Sequence, residues 1–119
     1  MKNALIVAAV FALCSTTAAF AHARLDQETP AADSTVAVEP TLLTLKFSEA
    51  VSPKFSGLKL TSSSKAEIAV GVPTVDPKDD ALLLVPIVGP LASGKYDVTW
   101  HALSSDGHKT TGSFAFTVK

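Results

Sequence analysis

The stretch Lys95-Tyr96-Asp97-Val98-Thr99-Trp100-His101-Ala102 (KYDVTWHA) decides the fold. Tyr96, Val98, Trp100 and Ala102 alternate with Lys95, Asp97, Thr99 and His101, which makes one face apolar and the other polar. A period of two is that of a half-buried strand, since successive side chains of extended backbone point to opposite faces. Working outward, Leu43, Leu45 and Phe47 alternate with Leu42, Thr44 and Lys46, and Phe114, Phe116 and Val118 with Ser113, Ala115 and Thr117. Shorter β-prone pieces run from Leu58 to Thr61, Glu67 to Val70 and Ala81 to Val85. Turn clusters at Ser62 to Lys65, Asp76 to Asp80 and Ser93-Gly94 separate the strands.

Seven prolines spread over the chain after residue 22 argue against any long helix. Short strands at close spacing with Gly and Pro punctuation predict an all-β domain: a small Greek-key barrel or sandwich, immunoglobulin-like, of about seven strands. No internal repeat interrupts the reading, and a single domain is expected. The acidic turn Asp76-Pro77-Lys78-Asp79-Asp80 has too few regularly spaced oxygen donors for a calcium loop and reads as a solvated connection.

The start of the chain has a different character. Met1-Lys2-Asn3 precedes the apolar run ALIVAAVFAL from Ala4 to Leu13, and small residues lead to Ala19-Phe20-Ala21. That order is a secretory signal peptide, with an apolar run about half the length a membrane span needs. Cys14 raises a lipid-anchored precursor as a competing reading, but the large Leu13 stands where a lipoprotein signal has a small residue. Residues 1–21 are therefore expected to be cleaved and 22–119 exported, with no stable membrane insertion once the leader is gone. Cleavage before Arg24 also satisfies the small-residue rule, through Ala21-His22-Ala23, and would discard His22.

The expected mature domain has 98 residues, enough for one modest core. Cys14 and Met1 leave with the leader, so it holds neither disulfide nor sulfur ligand. Lys2 leaves as well, and nine basic residues against eleven acidic ones give a net charge of −2. That balance provides no electrostatic footprint for nucleic acid or anionic lipid.

Chemistry concentrates in the three histidines, His22, His101 and His108. Ser104-Ser105-Asp106-Gly107-His108-Lys109 joins the Trp100 strand to the Phe114 strand, with Asp106-Gly107 as its turn signal. If the backbone around Gly107 is near extended, Asp106 and His108 point to the same face and converge. By itself the pair is also an ordinary hairpin turn with an exposed histidine. A mature N-terminus at His22 adds an imidazole and a free amine that close a chelate ring. Amine, two imidazoles and one carboxylate form a planar N,O set of the kind Cu(II) prefers, whereas Zn(II) favours a tetrahedron and Cu(I) favours sulfur. His101 lies on the polar face opposite Trp100 and reads as a surface histidine, and Trp100 as a core residue behind the site.

The chain resembles the CopC-type periplasmic copper-binding proteins. The signals are His22 after an Ala-x-Ala leader, Thr29-Pro30-Ala31, Leu45-Lys46-Phe47-Ser48-Glu49 and Phe55-Ser56-Gly57-Leu58-Lys59-Leu60. They continue through Gly94-Lys95-Tyr96-Asp97-Val98-Thr99-Trp100, Ser104-Ser105-Asp106-Gly107-His108 and Thr111-Gly112-Ser113-Phe114. The resemblance implies a small immunoglobulin-like Greek-key fold and one Cu(II) per chain, held by His22 with its amine, Asp106 and His108. It implies that Glu49 orients a ligand or the amine by a hydrogen bond, with a solvent-facing carboxylate at a strand end as the alternative. Members that also bind Cu(I) carry a methionine-rich hairpin where this chain has Ser62 to Ala66, so the Cu(II)-only kind is implied. A binding protein for copper resistance or homeostasis follows, not an enzyme, with copper and an inner-membrane copper transporter as partners. The competing functions are a copper-dependent oxidative enzyme built on the N-terminal histidine and a metal-free immunoglobulin-like interaction module.

Overall fold

The computed structural model describes residues 23–119; the leader expected at 1–21 and His22 lie outside the described residues. Two β-sheets pack face to face. One contains β1 (Leu25–Thr29), β3 (Leu42–Phe47), β7 (Asp79–Pro86) and β6 (Thr74–Asp76) in the order β1-β3-β7-β6. The other contains β2 (Thr35–Val36), β9 (Lys109–Val118), β8 (Gly94–Leu103), β4 (Gly57–Ser62) and β5 (Glu67–Ile68) in the order β2-β9-β8-β4-β5. All pairings are antiparallel except β2 on β9. The neighbours β3–β7 and β4–β8 meet across intervening strands, which are the long connections of a Greek key.

The expected immunoglobulin-like sandwich is therefore present, with nine strands among the described residues where about seven were expected. The additional strands are short edge elements. β2 has two residues and β6 three, too few to carry a period, and β1 reads Leu-Asp-Gln-Glu-Thr with no apolar alternation. β1 is held by its backbone ladder to β3, with a register shift between Leu25 and Gln27.

The alternation in KYDVTWHA survives intact: Tyr96, Val98, Trp100 and Ala102 are buried and their partners in sequence exposed. They meet Leu43, Leu45 and Phe47 of β3 and Leu83 and Val85 of β7 in a single core. The Phe47 and Trp100 rings meet edge-on at 5.3 Å, and Tyr96 stacks on Phe116 at 5.7 Å. Tyr96 keeps its hydroxyl satisfied by donating to the carbonyl of Ala92 at 2.7 Å.

The acidic turn at Asp76 to Asp80 is a solvated connection in which the Asp76 and Asp79 carboxylates are engaged. Lys46 Nζ pairs with Asp79 from the neighbouring strand, and Asp76 accepts from the Lys78 amide at 2.8 Å. The Lys46 hydrogen bond, followed by that of the Ala81 amide, holds the Asp79 carboxyl below its ordinary range.

Candidate metal centre

The hairpin that closes the domain pairs β8 with β9 from Gly94↔Val118 to Leu103↔Lys109, leaving Ser104 to His108 as the loop. The inward parity of Tyr96, Val98, Trp100 and Ala102 runs one step further and buries Ser104, which is 2% exposed. A hydroxyl in that position needs partners. Ser104 Oγ donates to Asp106 Oδ1 and accepts from the His108 amide at 3.2 Å, while the Ser104 amide donates to the His108 carbonyl at 2.9 Å. The loop is thus folded around one buried serine.

This closure brings the two predicted donors together. Asp106 Oδ2 lies 3.1 Å from His108 Nδ1, and both side chains are less than half exposed. The convergence expected from extended backbone is achieved differently: Gly107 has φ +90°, and its amide donates to the Ser104 carbonyl at 3.0 Å, so a turn carries the chain from one donor to the other. The Ser104 hydroxyl, then the His108 side chain, lowers the Asp106 pKa to about 2, keeping it an anion. Ser104 is the residue that sequence reasoning missed; its signal was a polar side chain at an inward position of the strand pattern.

The beginning of the described chain arrives at the same end. Ala23 is 1% exposed within the core, although it is only the second residue after the expected leader. Its carbonyl accepts from Thr110 Oγ1 at 2.9 Å, two residues beyond His108. The next amide, Arg24 N, donates to Ser48 Oγ at 2.9 Å, and Ser48 N donates back to the Arg24 carbonyl at 2.8 Å. On the other side of Glu49, the Ala50 carbonyl accepts from the Ser105 amide at 3.1 Å, and Val51 bridges to Ser104.

Glu49 therefore sits on backbone shared between the arriving chain and the Asp106–His108 loop. Its Oε1 is shielded from solvent and has no hydrogen-bond partner among the described residues. Such an orphan is costly unless a donor or cation belongs there. The remaining residues behave as expected. Trp100 is a core residue, and His101 is exposed on the outer face, its ring lying against Gly57. Among the described residues no three His, Cys, Asp or Glu side chains gather into a metal cluster; Asp106 and His108 make a pair, and His22 lies outside them.

A small Greek-key sandwich with an acid–imidazole pair beside its N-terminal strand defines a class of compact β-domain with a donor site at one end. Residues 25–119 match the CopC domain family, and the chain belongs to it. Protein YobA of Escherichia coli (strain K12) is 40% identical over 104 residues, covering 87% of this chain and 84% of that protein. Copper resistance protein C of Escherichia coli is 44% identical over 110 residues, 85% of this chain and 84% of that one. The crystal structure of PcoC, a methionine-rich copper resistance protein from Escherichia coli, superposes with a TM-score of 0.74 at 39% identity, over 83% of this chain and 100% of that one. Methionine richness is a property of that relative: the single methionine here is Met1. None of these names is that of an enzyme.

Proposed function

We propose that this chain is a periplasmic Cu(II)-binding protein whose mature form, residues 22–119, begins at His22. It holds one Cu(II) through the His22 amine and imidazole, Asp106 and His108, and carries the ion for copper resistance or homeostasis, delivering it to an inner-membrane transporter. It is a binding protein, not an enzyme. The observation that carries the reading is the position of Ala23: it is buried, its carbonyl accepts from Thr110 beyond the loop where Asp106 meets His108, and the following amide, that of Arg24, donates to Ser48. A residue covalently attached to Ala23 has its Cα about 3.8 Å away. On this reading the amine and imidazole of His22, joined to Ala23, complete the donor set that Asp106 and His108 begin.

Three further points support this reading. Cleavage before Arg24 would remove Ala23 from the core, whereas cleavage before His22 leaves the folded domain whole. The orphaned Oε1 of Glu49 is a suitable acceptor for a protonated or metal-bound amine. The donor chemistry suits a borderline divalent ion: nitrogen and oxygen ligands without thiolate or thioether favour Cu(II) over Cu(I). Copper resistance protein C and PcoC, named for copper resistance, carry the same domain.

Titration of the exported protein with Cu(II), followed by electron paramagnetic resonance, tests the assignment. One tight equivalent is expected. His22→Ala should abolish tight uptake, and a His22→Ala chain binding at full strength would remove the chelate from the site.

A further inference from the structure

One peptide unit at the start of the domain is held from both sheets. The Ala23 carbonyl accepts from Thr110 Oγ1 on β9 at 2.9 Å, and the Arg24 amide of the same peptide donates to Ser48 Oγ, just beyond β3, at 2.9 Å. The Ala23 methyl is buried in the core, and the Arg24 carbonyl is tied to Ser48 N at 2.8 Å. Ordinary edge-strand pairing of β1 with β3 accounts for Ser48 N but not for the two hydroxyls. They bond the peptide next to the terminus, where strands otherwise fray.

We infer that Ser48 and Thr110 are positioning residues for the N-terminal metal ligand. They fix the plane of the Ala23–Arg24 peptide so that the residue before it is presented to Asp106 and His108 without further ordering of the chain. This rests on the copper-site reading above. An N-terminal chelate on a frayed strand must order that strand whenever it closes on an ion, and the ordering subtracts from affinity. With the peptide already held, the cost is met during folding, and binding loses only the freedom of residue 22. Both hydroxyls come from residues adjacent to site residues: Ser48 precedes Glu49, and Thr110 lies two places after His108. The same short segments thus carry the donors and the device that aligns them.

The test uses the exported, processed protein loaded with Cu(II). Thr110→Val keeps the shape of the side chain and removes the hydroxyl. Ser48→Ala does the same at an exposed position and covers the case in which Thr110→Val folds poorly. Each is expected to weaken Cu(II) binding about three- to tenfold, the worth of one net hydrogen bond, and to broaden or shift the cupric hyperfine lines. Thr110→Ser and Ser48→Thr, which keep the hydroxyl, should restore both. Wild-type affinity and spectrum in Thr110→Val and Ser48→Ala, with His22→Ala still losing the metal, would overturn the positioning role and leave the copper site standing. Full binding by His22→Ala would overturn both.

Discussion

Asp106 Oδ2 and His108 Nδ1 stand 3.1 Å apart across a turn at Gly107 that a third residue, Ser104, holds closed. The serine donates to the other oxygen of the same carboxylate and accepts from the amide of the same histidine. Removing its hydroxyl leaves Asp106 Oδ1 and the His108 amide with only the longer bond between them, at 3.3 Å. Ser104→Ala is expected to cost about 1–3 kcal/mol of stability in urea denaturation. In an NMR titration the Asp106 carboxyl should move up from about 2 toward the ordinary aspartate range, since the Ser104 hydroxyl is the largest cause of its depression. Copper affinity should fall with it.

Acid should act on stability and on metal uptake in different pH windows. The Asp106 carboxyl is depressed to about 2 in the fold, against about 3.9 in an unfolded chain. Its contribution is complete above the unfolded value and is lost as pH falls through about 2. Asp79, depressed by Lys46 and then by the Ala81 amide, acts in the same direction, and Lys46→Met should reduce its share of the acid sensitivity. Copper should be released at much higher pH, because amine and imidazole ligands bind metal only when deprotonated. Asp106→Asn is expected to lower Cu(II) affinity without changing how steeply that affinity varies with pH above about 4. Paired denaturation and copper titrations across pH check both statements.

The ring of Trp100 occupies the space in which residue 112 would carry a side chain. A Cβ built at Gly112 would fall 2.5 Å from Trp100 Cζ2, and the two residues are direct cross-strand partners on β8 and β9. Gly112→Ala must push the ring off its edge-on contact with Phe47, at an expected cost of about 1–3 kcal/mol. Urea denaturation gives the loss. Fluorescence from Trp100, the single tryptophan, reports the displacement directly.

The long strands were legible because burial on one face imposes a period of two, and β3, β8 and β9 carry it openly. β1, β2 and β6 were not, since edge pairing through backbone amides asks little of side chains. The site was legible in its donors and obscured in its supports. Asp106 and His108 announce themselves by type, whereas Ser104 shows only as a polar residue continuing an inward series. Their convergence comes from a turn with positive φ at Gly107, a conformation the Asp-Gly pair permits but does not dictate. Ala23 reads as the second residue of the mature chain, or as the last of the leader if cleavage falls before Arg24; its burial follows from the packing of β1 against β3 and from a threonine 87 positions away.

Native mass spectrometry of the protein exported by its own leader, with and without one equivalent of Cu(II), bears most directly on the central claim. A chain of residues 22–119 that gains one copper ion and releases the protons of its ligands is the expected result. A chain beginning at Arg24, or one beginning at His22 that takes up no copper, would contradict it.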